Sequence, residues 1–142
     1  MRAIDDPKWS KLLRMRTNTM LEEYPELGTL HRKLLSMGGD FVVLIPEPDL
    51  EKILTRGTPF DGCRVRLRRM RASHCHSNVA ELWSQGQNMK ITTGWALSDD
   101  GLWRQHSWIL RGKTVIETTE TRVRYFGVTL TDAEAEQFWN DN

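Results

Sequence analysis

A cysteine flanked by two histidines, Cys75 between His74 and His76, lies in the stretch "SHCHSNVAELW" at residues 73–83. It could be a thiol nucleophile, part of a metal site, or a buried structural thiol. A nucleophile must be a thiolate, which requires a site that lowers the thiol pKa from about 8.5. A helix N-terminus does this through its unpaired N–H groups and the positive end of the dipole. Ser73 is a suitable cap, which would place Cys75 in the first turn. Cys75, Val79, Leu82 and Trp83 then fall on one apolar, inward face of the helix. That position suits a buried thiol and a cleft-facing nucleophile equally, so the partners must decide.

A base is available downstream. In "LWRQHSWIL", residues 102–110, strand alternation puts Leu102, Arg104, His106, Trp108 and Leu110 on one face. "RGKTVIETT" returns at once. A two-residue loop at Arg111 and Gly112 pairs His106 with Glu117, whereas a loop at Gly112 and Lys113 pairs it with Thr119 and leaves Glu117 one pair away. In either register His106 and Glu117 share a face, within reach of each other. A thiol at a helix start, an imidazole on a following strand and an acid on the next have the logic of a Cys-His-acid triad. His106 would take the thiol proton, and Glu117 would fix its tautomer and steady the imidazolium. The oxyanion donor by default is the Cys75 N–H, with Gln105 and Asn78 as side-chain candidates. His76 beside the thiol, Arg71 before it, and Trp95 and Trp108 as walls of an apolar slot complete the substrate-contact candidates; core packing is the competing role for both tryptophans.

The metal alternative takes His74, His76 and His106 as ligands. On a strand, residues 74 and 76 would point the same way. On a helix, neighbouring side chains fan apart by about 100° and cannot converge on one ion. No C-x-x-C or H-E-x-x-H spacing is present, so no metal or other cofactor is expected. His31, beside Arg32 and Lys33, is expected to be solvated. Cys63 is expected to be a small buried hydrophobe. A non-enzymatic alternative rests on Arg64, Arg66, Arg68, Arg69 and Arg71, a stripe that could track phosphates of nucleic acid or hold another anion. Its competitor is a solvated outer face balanced by nearby acids, and nucleic acid is not the favoured partner.

The elements that must position these groups follow from pattern. Asp6 can cap a helix with Pro7 at its first position, and Trp9, Leu12, Leu13 and Met20 give it a partial apolar stripe. "PELGTLHRKLLSMGG" predicts a second helix stopped by Gly38 and Gly39, "FVVLIP" a short strand, and "PDLEKILTRG" a short helix ending at Gly57. "CRVRLRRMR" alternates as a strand. After the cysteine helix come four strand-like runs, "ITTGWALS", "LWRQHSWIL", "TVIETT" and "RVRYFGVTL". Thr131 and Glu134 form a capping box for a last helix. The expectation is one α+β domain over 1–142: a mainly helical part at 1–60, a helix packed on an antiparallel meander at 61–130, and a C-terminal helix at 131–142. The small side chains of Thr92, Gly94, Ala96 and Ser98 mark the face over which the Cys75 helix is expected to lie, unless Gly94 marks a bulge.

At 142 residues the chain is long enough for one hydrophobic core. With 20 basic and 19 acidic residues it is no general polyanion binder. The absence of a signal-peptide pattern and of any apolar run near the ~20 residues of a span predicts a soluble, cytoplasmic protein that does not enter the membrane. Two cysteines in that setting are expected to be free thiols.

The segments "CHSNVAELW", "TTGWALSDDGLWRQHSW" and "VIETT" together resemble the transglutaminase-like and papain-like cysteine enzymes, over roughly residues 61–128. "HSW" is similar to the H-A-W around the histidine of transglutaminase-like domains. The resemblance implies Cys75 as nucleophile, His106 as base and Glu117 as orienting acid. It also implies a papain-like core in which the cysteine begins a helix packed on an antiparallel sheet. Two departures stand out: glutamate replaces the commoner aspartate or asparagine, and no oxyanion-hole glutamine precedes Cys75. The implied activity is a thiol-dependent hydrolase or acyltransferase. It would act on an amide or peptide acyl group through a thioester, with a small-molecule or peptide substrate that could be anionic.

Overall fold

The computed structural model describes residues 2–142. Helix α1 (Pro7–Glu23) starts where the Asp6 carboxylate accepts the N–H groups of Lys8 and Trp9 at 3.0 and 3.2 Å, with Pro7 at the first position. Pro25 opens a single 3-10 turn that leads into α2 (Gly28–Ser36), which ends before Gly38 and Gly39 at φ 133° and 77°. Strand β1 (Phe41–Val42), helix α3 (Leu50–Arg56) and strands β2 (Thr58–Pro59) and β3 (Arg64–Leu67) follow. Helix α4 (Cys75–Gln85) carries the cysteine at its first residue. Strands β4 (Lys90–Leu97), β5 (Leu102–Arg111), β6 (Thr114–Glu117) and β7 (Arg124–Thr129) precede α5 (Asp132–Asp141), whose Thr131–Glu134 capping box is formed.

These elements make an α+β molecule around one mixed sheet, ordered β2-β7-β4-β5-β6-β3 with β1 also paired to β5. The expected meander holds only through β4, β5 and β6. Strand β3 lies parallel on the outer edge of β6, so β7 crosses back and pairs antiparallel with β4 instead. Between β5 and β6, Arg111 pairs with Thr114, so the loop is Gly112-Lys113, with Gly112 at φ 61°. That is the second of the two registers considered.

Helices α2, α3, α4 and α5 cover one sheet face, where Leu34, Ile53, Val79 and Phe138 join Trp95 and Ile109 in the main core. Ala96, Trp108, Val115 and Tyr125 form a smaller cluster on the other face, with Cys63 against it. Helix α4 therefore does not lie over Thr92, Gly94, Ala96 and Ser98; it lies on the opposite face. The small residues answer a different need. Gly94 faces Gly127 across β4 and β7, and a Cβ there would stand 2.2 Å from the Phe126 carbonyl oxygen. Backbone cannot yield as a side-chain tip can, so Gly94→Ala is expected to cost about 1–3 kcal/mol of stability, read as a lower urea midpoint at unchanged slope. A variant as stable as the parent would refute the close approach.

One irregularity positions the site. Strand β4 occupies one edge of β5 from Trp103 to Leu110. On the other edge, β1 pairs at Leu102 and Trp103, and β6 pairs only from Ile109 onward. Among the described residues, then, no strand lies beside residues 104–108 of β5 on that edge. Among the described residues no helix is long and apolar enough to cross a membrane.

Candidate active site

The start of α4 fills this gap. From β3 the chain runs on beside β6, with Arg68 and Met70 N–H groups donating to the carbonyls of Glu117 and Thr118. It then turns sharply at Ser73, whose φ of 61° is rare for a residue other than glycine. Ser73 is therefore not the helix cap. His74 holds that position and supplies no side-chain cap, so no cap side chain competes for the first-turn N–H groups. The turn is braced by Asn78, buried at 3% exposure, whose amide donates to Arg71 O at 2.8 Å and Thr118 Oγ1 at 3.3 Å.

Cys75 is half-buried, and its sulfur lies beside the His106 ring and the Ser107 backbone N–H, near enough for both to act on its ionisation. This is how a helix on one face of the sheet presents its sulfur to a histidine on the other: the sulfur meets β5 where that strand has no neighbour. His106 Nε2 lies 2.7 Å from Glu117 Oε1. Tyr125 Oη donates to the same oxygen at 2.9 Å, while the Thr119 N–H and hydroxyl both donate to Oε2 at 3.0 Å. His106 and Glu117 are 2% and 0% exposed.

The electrostatics follow from these contacts. Burial pushes the Cys75 thiol up, but the bond to His106, the imidazolium charge and the Ser107 N–H outweigh it, so its pKa is lowered. Burial pushes His106 down, and its bonds to Cys75 and Glu117 more than reverse this, leaving it raised. Burial likewise pushes Glu117 up, yet His106, Thr119 and Tyr125 hold it below the usual carboxylate range. An ionised Glu117 only accepts, so His106 Nε2 must donate, and the other ring nitrogen faces sulfur. Both shifts favour transfer of the thiol proton to His106, with the Glu117 carboxylate behind the ring.

Cys75 and His106 line a cleft of about 510 Å³. Arg104 and Arg122 line it too, joined through Ser98: each donates to Ser98 Oγ at 3.0 Å. Of the other substrate-contact candidates, Gln105 alone lines this cleft, and its amide nitrogen donates to Pro46 O at 3.2 Å. His76 opens instead on a second cleft, of about 570 Å³, under α5. Its pKa is lowered by burial and by the His106 charge, and its Nδ1 lies 2.6 Å from Ser107 Oγ. Because that hydroxyl donates to Thr93 Oγ1 at 3.0 Å, His76 donates to it and ties α4 to the strand that carries His106.

Several expectations need correction. Trp95 and Trp108 are fully buried on opposite sheet faces and wall no slot. Asn78 is a brace with both donors taken inward, so it offers nothing to an oxyanion or a surface contact. Arg71 is exposed but does not line the cleft, and its carbonyl accepts from His74 and Asn78. His31 is half-buried rather than solvated, with its pKa lowered by burial and by Arg32. Arg64, Arg66, Arg68, Arg69 and Arg71 are exposed, and none is ion-paired among the described residues, so no acids balance that stripe. His74, His76 and His106 have separate surroundings. Among the described residues no cluster of three or more His, Cys, Asp or Glu side chains is placed to hold a metal ion. Sequence reasoning did not single out Arg122: it opens the strand-like run "RVRYFGVTL", but the strand begins only at Arg124, and alternation gives no sign that the preceding link turns Arg122 into the cleft.

Comparisons of the chain with protein-family models, curated proteins and solved structures found no match.

Proposed function

We propose that the protein is a thiol-dependent hydrolase or acyltransferase acting on an amide or peptide-type acyl group. One observation carries this: a cleft-lining sulfur beside a buried imidazole whose Nε2 is held at 2.7 Å by a buried carboxylate. Structural ion pairs also perturb pKa values, but an inert buried thiol has no need of an oriented base and an open cleft. The order of parts, a thiol opening a helix and a histidine and acid on strands, supports a relation to the transglutaminase-like and papain-like enzymes.

The chemistry follows from the geometry. Cys75 Sγ attacks the carbonyl carbon, and the carbonyl π pair moves to oxygen, where the Cys75 N–H is the nearest donor of the uncapped first turn. As the tetrahedral adduct collapses, the C–N bond breaks and His106 gives its proton to the departing amine, leaving a thioester. His106, now neutral, takes a proton from water or from an acceptor amine. The new nucleophile forms its bond to the acyl carbon, the C–S bond breaks, and thiolate and imidazolium are restored. Glu117 keeps its proton-free state throughout and holds the ring.

The test is release of ammonia or amine, and incorporation of an added amine, across a panel of carboxamides and peptides. Cys75→Ala is expected to abolish both while leaving circular dichroism and melting unchanged. Unaltered turnover in a folded Cys75→Ala protein would remove the nucleophile. The unpaired arginines of residues 64–71 favour a second reading, an anion-binding surface on the exposed edge of β3. Salt-sensitive nucleic-acid binding that survives Cys75→Ala would support it over the enzyme.

A further inference from the structure

We infer that the cleft beside Cys75 contains a carboxylate subsite centred on Arg122, so that the acyl substrate carries a compact monoanionic group close to the bond attacked. This deepens the proposed thiol chemistry and rests on it.

The charge balance at the cleft points to a missing anion. Arg104 is answered by Asp100 at 2.7 Å. Arg122 is not answered in this way. Its side chain is 9% exposed, yet the nearest carboxylate oxygens are 3.8 Å away on Glu117 and 3.9 Å away on Glu120. Glu117 cannot come closer to serve it, because His106, Tyr125 and Thr119 already place four donors on its two oxygens. The guanidinium instead donates to neutral oxygens: Ser98 Oγ at 3.0 Å, Thr119 Oγ1 at 3.2 Å and Glu120 O at 3.3 Å. A guanidinium has five N–H donors, so two remain for a ligand in the cleft it lines.

The surroundings narrow the ligand's chemistry. Among the described residues no aliphatic or aromatic side chain lines the cleft apart from the His106 ring, so an apolar acyl chain finds no wall. Two guanidiniums meet at Ser98, and a guanidinium's planar fork of donors suits a carboxylate. Asp99, Asp100 and Glu120 also line the cleft. Asp100 is spent on Arg104; Asp99 is exposed and Glu120 is 75% exposed, so water screens those two while Arg122 is shielded from it. One surplus buried cation facing two screened acids matches a monoanion. A phosphate dianion would meet more repulsion than attraction.

Paired alkylating reagents test this without a known substrate. Iodoacetate carries the carboxylate and iodoacetamide is its neutral counterpart, and Cys63 in the same molecule is the internal reference. The ratio of iodoacetate to iodoacetamide rate is expected to be about tenfold higher at Cys75 than at Cys63, and to be suppressed by added acetate. His106 attracts the anion as well, so the deciding measurement is Arg122→Gln, which should lower the ratio at Cys75 about tenfold, whereas Arg122→Lys should keep part of it. Glu120→Gln removes an exposed opposing charge and should raise the ratio, about twofold. A Cys75 ratio indifferent to Arg122→Gln overturns the inference, as does an unchanged ratio in Glu120→Gln should Arg122→Gln fail to fold. Iodoacetamide labelling of wild-type Cys75 no faster than Cys63 overturns the nucleophile itself and the subsite with it. Fast iodoacetamide labelling with no anion preference overturns the subsite alone.

Discussion

At pH 6, iodoacetamide is expected to alkylate Cys75 about tenfold faster than Cys63, and His106→Ala is expected to erase that lead. An ordinary thiol of pKa about 8.5 is only about 0.3% thiolate at pH 6. With its pKa lowered by His106, Cys75 is ionised to a greater extent than an ordinary thiol. A low-pKa thiolate is also a weaker nucleophile, with a Brønsted slope of roughly 0.4–0.5, which returns part of the gain and leaves about one order of magnitude. The sign fixes the pH profile. A thiol whose folded pKa is lowered is ionised above that pKa, so the lead is largest in mild acid and narrows as pH approaches 8.5. Labelling should rise to a plateau and stay there. Turnover should instead be bell-shaped, because the amine leaves only while His106 can donate, and that ends above its raised pKa. Equal rates for the two cysteines at pH 6, or an unchanged Cys75 rate in His106→Ala, would count against an activated thiol. Rates that converge in urea would show that the fold, and not the local sequence, creates the difference.

The same shifts bear on stability. His106 is raised on folding, so its contribution is complete below about pH 6.5 and fades as pH climbs through its folded value. Glu117 is lowered, so its contribution is complete above about pH 4.3 and fades as pH falls through its folded value. The two contributions overlap in mild acid, the range in which a thiolate without an imidazolium beside it would be lost.

Strand alternation alone placed His106 and Glu117 on one face, because a one-residue change of register on both strands preserves parity. The caps at Asp6 and at Thr131 with Glu134 were equally legible, since capping is a local event. Alternation says which residues share a face and nothing about which strand lies alongside. The parallel placements of β1 on β5 and of β3 on β6 therefore left no mark in the sequence. The first matters most, because β1 ends at Trp103 and β6 begins only at Ile109, which leaves residues 104–108 as the gap through which the sulfur reaches His106. The side of the sheet taken by α4 was misjudged for a related reason. Small residues were read as room for a helix, when Gly94 and Gly127 instead allow two strands to approach. His76 and Asn78 were read as a substrate contact and an oxyanion candidate beside the thiol, and their roles as a tie to Ser107 and a brace on Arg71 depend on partners 31 and 7 residues away.

Glu117→Gln is expected to lower Cys75 labelling at pH 6 about tenfold, to the level of His106→Ala, and to cost about 1–3 kcal/mol of stability. Four donors converge on the Glu117 carboxylate: His106 Nε2–H and Tyr125 O–H on one oxygen, Thr119 N–H and O–H on the other. A carboxylate has lone pairs for all four, whereas a carboxamide has one accepting oxygen and an amino group that can only donate. If the amide nitrogen faces Thr119, two N–H groups confront each other in a buried site, and the backbone one cannot turn away; a lost buried partner of this kind costs about 1–3 kcal/mol. If it faces His106, the clash is relieved by moving the ring proton to the nitrogen beside sulfur. The fold is then partly spared, but His106 can no longer accept the thiol proton, the wrong-tautomer failure known for the serine triad. Both orientations remove the full negative charge that raises His106, so the ion pair weakens either way. Tyr125→Phe removes one competing donor and should recover part of the stability lost in Glu117→Gln while leaving labelling slow, a coupling visible in a double-mutant cycle. A Glu117→Gln protein that melts with the parent and labels Cys75 at the parental rate would mean that this carboxylate neither holds the ring nor sets its proton.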